Sequence, residues 1–128
     1  MARMTLAVHS QVYSIHSFSP DASIASEVFQ QNMFFIGKTY DELSVVVPAE
    51  LNLDSLEEES DWRCIEVIGP LGFSMTGILA SVSGALADVD ISIFAISTFD
   101  TDYILVKKDK LSKAILALKK KNYQIMEY

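Results

Sequence analysis

Six residues in the second half of the chain, Ser97-Thr98-Phe99-Asp100-Thr101-Asp102, place three hydroxyls and two carboxylates between apolar runs at 91–96 and 103–106. Runs of that length and composition read as strands, so the polar group falls at the mouth of a hairpin. Its oxygens are suited to accept hydrogen bonds from an ammonium group. Upstream, Gly69-Pro70-Leu71-Gly72-Phe73-Ser74-Met75-Thr76-Gly77-Ile78-Leu79 reads as a strand end, a glycine-containing turn and a helix start. The unpaired amides of a first helical turn favour an anion. Here Ser74, Met75 and Thr76 would offer those amides, and Gly72 permits close backbone approach. Donors for an anion and acceptors for a cation in one module suit a zwitterion. The backbone of Gly72, Phe73, Ser74 and Met75 is therefore the candidate carboxylate site. Asp102 with Ser97 and Thr98 is the candidate ammonium site, Asp100 is an additional carboxylate, and Phe73, Ile78 and Phe99 form an apolar wall. Charge complementarity alone leaves the two ends of the ligand exchangeable.

Each feature also has a plainer role. A glycine-rich turn before a helix is common, and an Asp at a turn often caps its own backbone. On the residues alone these roles are the cheaper explanation. A further stripe, Gly77, Ala80, Ser81 and Gly84, recurs at helical spacing and lets another backbone approach closely. The partner is either the companion helix of the same module or a surface of another module or a second chain.

The elements that must position these residues follow from periodicity. Val12, Ser14, His16 and Phe18 alternate with Tyr13, Ile15 and Ser17 up to Pro20, which predicts a strand. A short helix follows, capped by Asp21 or Ser23, with Ile24, Val28 and Phe29 inward. Strands are expected over 33–38 and 43–47. Residues 49–61, with Glu57-Glu58-Glu59-Ser60-Asp61, read as a solvated linker. From Trp62 the order is strand 63–68, helix from about Ser74 to Ala87, strands 91–98 and 103–108, helix 109–121 and strand 123–127. Met75, Ile78, Leu79, Val82 and Leu86 make one apolar helical stripe, and Leu111, Ala114, Ile115 and Leu118 another, so each helix covers one face of a sheet. The fold class predicted is α+β, with ferredoxin-like βαββαβ modules in tandem, antiparallel sheets and helices on one face. Residues 1–61 form a trimmed first module with an acidic linker, and residues 62–128 a complete second one.

Composition narrows the function. A chain of 128 residues, half of them apolar, buries enough surface for one compact body or two small modules. Its net charge of −7 lies entirely in the first half: residues 1–60 carry two basic and nine acidic side chains, residues 61–128 eight of each. Nucleic acid needs a clustered positive footprint, and the runs 107–110 and 119–121 have ordinary structural explanations, the second at a helix C-terminus. No apolar stretch approaches a membrane span and the start lacks a signal-peptide core, so the expected location is the cytoplasm. The single cysteine, Cys64, sits in a strand-like run and is expected to be a buried structural thiol. His9 and His16 have no ligands at metal spacing, and no serine has a visible base partner. No metal, no cofactor and no catalysis are expected.

The strings GPLGFSMTGILASVSGALA and ISIFAISTFDTDYILVKKDKL resemble the ACT domain family, in particular stand-alone tandem ACT proteins similar to aspartate-kinase regulatory modules and to Castor-type arginine sensors. The resemblance covers residues 62–127, with STFDTDYILV its most specific part. Over residues 5–60 it rests on element order. It implies that the loop at 72–75 and the hairpin mouth line an effector site, and that the protein is a non-catalytic sensor of a free amino acid. It also implies a homodimer with its pocket between modules, which signals to a regulated enzyme or other protein partner. The alternative is an ACT-type interaction or dimerisation module without a small ligand.

Overall fold

The chain opens with β1 (Thr5–Phe18), a strand twice as long as the alternation at 12–18 alone predicts; its first half carries the apolar run Leu6-Ala7-Val8, buried at all three positions, rather than an alternation. The computed structural model describes residues 4–69 and 77–128. It continues with α1 (Ser26–Phe29), β2 (Phe35–Lys38), β3 (Leu43–Pro48), β4 (Glu57–Gly69), α2 (Ile78–Ala87), β5 (Ile93–Ser97), β6 (Asp102–Lys107), α3 (Leu111–Lys120) and β7 (Gln124–Glu127). These elements group into two units. One is Gln11–Trp62; the other joins the start of the chain, through Ser10, to Arg63–Tyr128.

The C-terminal unit has the predicted βαββαβ run, β4-α2-β5-β6-α3-β7, an α+β arrangement. Leu6 and Val8 of β1, Ile65 and Val67 of β4, and Ile104 and Val106 of β6 share one core with the inner stripes of α2 and α3. Period two on the strands and period 3.6 on the helices therefore meet on a single sheet face. Both helices end with a left-handed residue followed by a buried apolar one. Asp90 (φ 60°) precedes Ile91, whose N–H reaches the Leu86 carbonyl at 3.0 Å; Asn122 (φ 69°) precedes Tyr123, whose N–H reaches Leu118 at 3.2 Å. This bond pattern satisfies carbonyls that a helix end leaves open.

The chain departs from expectation in four places. The division at 61/62 kept all of the N-terminal segment in the first module, whereas residues 5–10 group with 63–128 because Leu6 and Val8 are buried in that core. As a result β1 lies between β7 and β4 in strand order, and β7 pairs with it in parallel, from Thr5↔Gln124 to Val8↔Glu127, within a sheet expected to be antiparallel throughout. Glu57–Asp61, read as linker, begins β4. All five side chains are exposed, so both faces of this stretch of β4 are open to solvent and the charges remain hydrated in the strand conformation. Finally, Gly77 stands at φ 82°, outside the helical region, so α2 begins at Ile78 and no helix runs unbroken through Gly77; the expected start near Ser74 lies outside the described residues.

In the N-terminal unit the order is β2-β3-β1-β4, with β3 antiparallel to both β1 and β2. Val28, Leu43, Val45 and Val47 form its core, with Phe18, Ile24, Leu51 and Leu53 packed against it. The helix α1 is a single turn of 4 residues. Val28 faces inward as expected, but Phe29 is 58% exposed and meets Phe34 edge to face, at 5.6 Å between ring centroids. One turn cannot bury two adjacent positions on the same side.

Candidate functional site

The β5–β6 hairpin is built by antiparallel pairing from Ile93↔Val106 to Ser97↔Asp102. A four-residue turn, Thr98 to Thr101, closes it. The Thr98 N–H donates to the Thr101 carbonyl at 2.8 Å, the Thr98 hydroxyl donates to the same carbonyl at 3.0 Å, and the Thr101 N–H donates to the Thr98 hydroxyl at 3.3 Å. Thr101 contributes most to position: its hydroxyl donates to the Val67 carbonyl of β4, fixing the mouth of the hairpin to the neighbouring strand. Nothing in the sequence distinguished Thr101 from the other hydroxyls of the turn, because its partner lies 34 residues away.

At the last register pair the Ser97 hydroxyl donates to Asp102 Oδ1 at 2.6 Å, which holds the carboxylate at the mouth. Asp102 is half-buried; Ser97, Thr98 and Asp100 are exposed, and Phe99 projects fully at 104% exposure. Among the described residues neither Asp100 nor Asp102 is paired with a cation. The next residue, Tyr103, has its phenol pushed above the usual value by burial and then by the charges of Glu66 and, more weakly, Asp100. Burial is the larger cause; the carboxylates of Glu66 and Asp100 add negative charge near the phenol, the sign that attracts an ammonium. Glu66 in turn accepts a hydrogen bond from His9 Nε2 at 2.8 Å, and the His9 ring lies 4.8 Å from Tyr128. Arg63 donates to the His9 backbone carbonyl at 3.2 and 2.9 Å.

The structure thus brings Ser97, Thr98, Phe99, Asp100 and Asp102 together in one turn. Ile78 lies in the first turn of α2 and is 9% exposed, a member of the core, which leaves little of it for a ligand. Gly72, Phe73, Ser74 and Met75 lie outside the described residues. The stripe Gly77, Ala80, Ser81 and Gly84 is exposed rather than packed against α3; one of its members, Ser81, accepts a 2.6 Å hydrogen bond from Tyr123. Cys64 is fully buried, and burial with the nearby Glu66 charge pushes its thiol up to about 12. Both histidines have side-chain partners, His9 as above and His16 through Nδ1 to the Ser55 hydroxyl at 2.8 Å. Among the described residues no three His, Cys, Asp or Glu side chains converge as a metal site, and no helix is long and apolar enough to cross a membrane.

A profile of the ACT domain matches residues 57–120, half of the chain. The chain belongs to the ACT domain family. The match begins at β4 and ends with α3, and so contains the whole hairpin. The human protein named cytosolic arginine sensor for mTORC1 subunit 1 is 36% identical over 116 residues, covering 88% of this chain and 35% of that protein. Its rat counterpart is 43% identical over 75 residues, covering 58% and 22%. This ACT chain therefore spans about a third or less of the length of those relatives. Among solved structures, a protein from Agrobacterium tumefaciens superposes with a TM-score of 0.90 at 29% identity, covering 100% of this chain and 96% of that one. The ligand-free regulatory subunit of aspartate kinase from Thermus thermophilus superposes at 0.65, with 18% identity and 93% and 98% coverage. The second likeness is one of fold.

Proposed function

We propose that the chain is a non-catalytic regulatory protein of the cytoplasm, a homodimer that binds a free amino acid and passes its occupancy to a protein partner. The observation that carries this reading is the hairpin mouth. Asp102 is held by Ser97 through one oxygen, its other oxygen has no partner among the described residues, and the surrounding field is negative. An α-ammonium placed there gains a charge-assisted hydrogen bond. The carboxylate end is assigned to the backbone of residues 72–75, and Phe99 is placed against the ligand's side chain. Arginine heads the panel of ligands because a 36% identical relative is named as an arginine sensor.

A thermal-shift screen of the common amino acids tests the reading. A ligand at one hundred times its dissociation constant stabilises the folded chain by about 2.7 kcal/mol, which raises Tm by roughly 5 °C or more for a protein of this size. A flat panel contradicts the proposal. The second reading, an interaction module without a ligand, is favoured by the full exposure of Phe99 and by the exposed small-residue stripe on α2. It predicts a flat panel, together with loss of self-association in Ala80→Glu.

A further inference from the structure

We infer that the N-terminal unit carries a second binding site, a preformed cleft selective for a small organic cation with a short apolar stem. The cleft lies wholly within residues 18–54 and holds about 260 Å³. Pockets for drug-sized ligands run roughly from 300 to 1,000 Å³; since a cavity of about 150 Å³ takes benzene, this one accommodates a body of about ten heavy atoms. Phe18, Ile24 and Leu53, all packed against the core of the unit, line it on its apolar side; Ser23, Asn52 and Asp54 are its polar lining residues.

Both sides of the cleft are tied down without a ligand. On one side the Ala22 N–H donates to Ser19 at 3.0 Å and the Val28 N–H to Ala25 at 3.1 Å. On the other, the Leu51 N–H donates to Pro48 at 3.0 Å and the Leu56 N–H to Ser17 at 2.9 Å, while Ser55 is held by His16 at 2.8 Å. His16 is itself 1% exposed, so the segment carrying Asn52 and Asp54 is anchored to the unit's interior. A site that needs no ordering on binding retains more of its contact energy as affinity.

Charge fixes the class of ligand. Residues 11–62 carry ten acidic side chains and one basic one, Lys38, and Asp54 stands at the cleft with no partner among the described residues. This charge balance disfavours carboxylates and phosphates and favours cations. An alkylammonium or alkylguanidinium places its head at Asp54 and Asn52 and its methylenes along Phe18, Ile24 and Leu53. This site is separate from the hairpin mouth and independent of the reading given to it.

The test uses the full chain, titrated in an amide-resolved NMR experiment with n-butylammonium, n-butylguanidinium, n-butanol and butyrate. The two cations are expected to shift the amides of residues 18–25 and 52–55, the alcohol to do so more weakly and butyrate not at all, with the response diminishing as salt is raised. Asp54→Asn, at an exposed position, should weaken cation binding by a factor of roughly two to five. Ala25→Leu, also exposed, should narrow the cleft and abolish binding while leaving the remaining spectrum in place. Equal binding of alcohol and cation, shifts centred on residues 97–102, or undiminished binding in both variants would overturn the assignment.

Discussion

Replacing Leu6 with Ala removes a fully buried side chain from the core shared by β1, β4, β6, α2 and α3. If residues 5–10 belong to the C-terminal unit, this single change near the start of the chain destabilises elements more than a hundred residues away. A buried Leu→Ala substitution costs about 2.7–5 kcal/mol, the lost transfer energy plus a cavity the neighbours do not fill. Leu6 stands on a strand held on both sides, by β4 and by β7, so the backbone cannot collapse into the gap and about 3 kcal/mol is expected. At a urea m-value of about 1.5 kcal/mol/M, the midpoint falls by roughly 2 M. The control is Ser10→Ala, exposed on the same strand, which should stay within about 0.5 kcal/mol of the parent. Native-state hydrogen exchange gives the location: Leu6→Ala should lower protection in α3 and β7. A cost under about 1 kcal/mol, or protection lost only in β2 and β3, would refute the assignment of this strand segment.

Three further outcomes follow from individual side chains. Burial lowers the pKa of His16 below its ordinary 6.5, with Glu58 partly opposing the shift; the unfolded chain therefore binds more protons than the folded one below that pH. Stability should be fully present above pH 6.5 and decline as pH falls through that value toward the lowered one, at no more than about 1.4 kcal/mol per pH unit, and His16→Gln should flatten this part of a pH series of urea midpoints. Cys64, buried with its thiol pushed up to about 12, should resist alkylation at pH 8 in the native chain and react at once in urea; rapid native labelling would contradict its placement. Tyr123→Phe removes the hydrogen bond to Ser81 and should cost about 0.5–1.5 kcal/mol, read as a change in urea midpoint, while leaving the pH dependence unaltered.

Much of the C-terminal unit was legible because local pattern and tertiary role agree there. The apolar stripes of α2 and α3 point into the core their spacing predicts, and the β5–β6 hairpin forms around the polar string that marked it. What escaped was long-range or context-dependent. The short apolar run Leu6-Ala7-Val8 did not announce a strand, and nothing local shows that the partner of residues 5–8 is a strand at the opposite end of the chain. The acidic residues 57–61 look like a connection because charge is the stronger local signal, yet exposed strand positions tolerate it. At the hairpin, residue types indicated Ser97, Thr98, Asp100 and Asp102, whereas the anchoring of Thr101 to Val67 depends on a pairing no local window contains. The cleft at residues 18–54 was equally hidden, since its wall and rim come from the end of β1 and two separate loops.

The central claim is that the hairpin mouth receives the ammonium of a free amino acid through Asp102. The most direct measurement is a calorimetric titration of the full chain and of Asp102→Asn with the amino acid that gives the largest thermal shift, both at the same pH and salt. The substitution keeps the shape of the side chain and removes its charge, so losing one charge-assisted hydrogen bond at a half-buried position should weaken binding roughly tenfold. The urea midpoint should correspond to a stability within about 0.5 kcal/mol of the parent, because no core contact is lost. Equal affinity in the two proteins, with stability unchanged, would show that Asp102 only closes its turn and that the hairpin mouth is not the ammonium site.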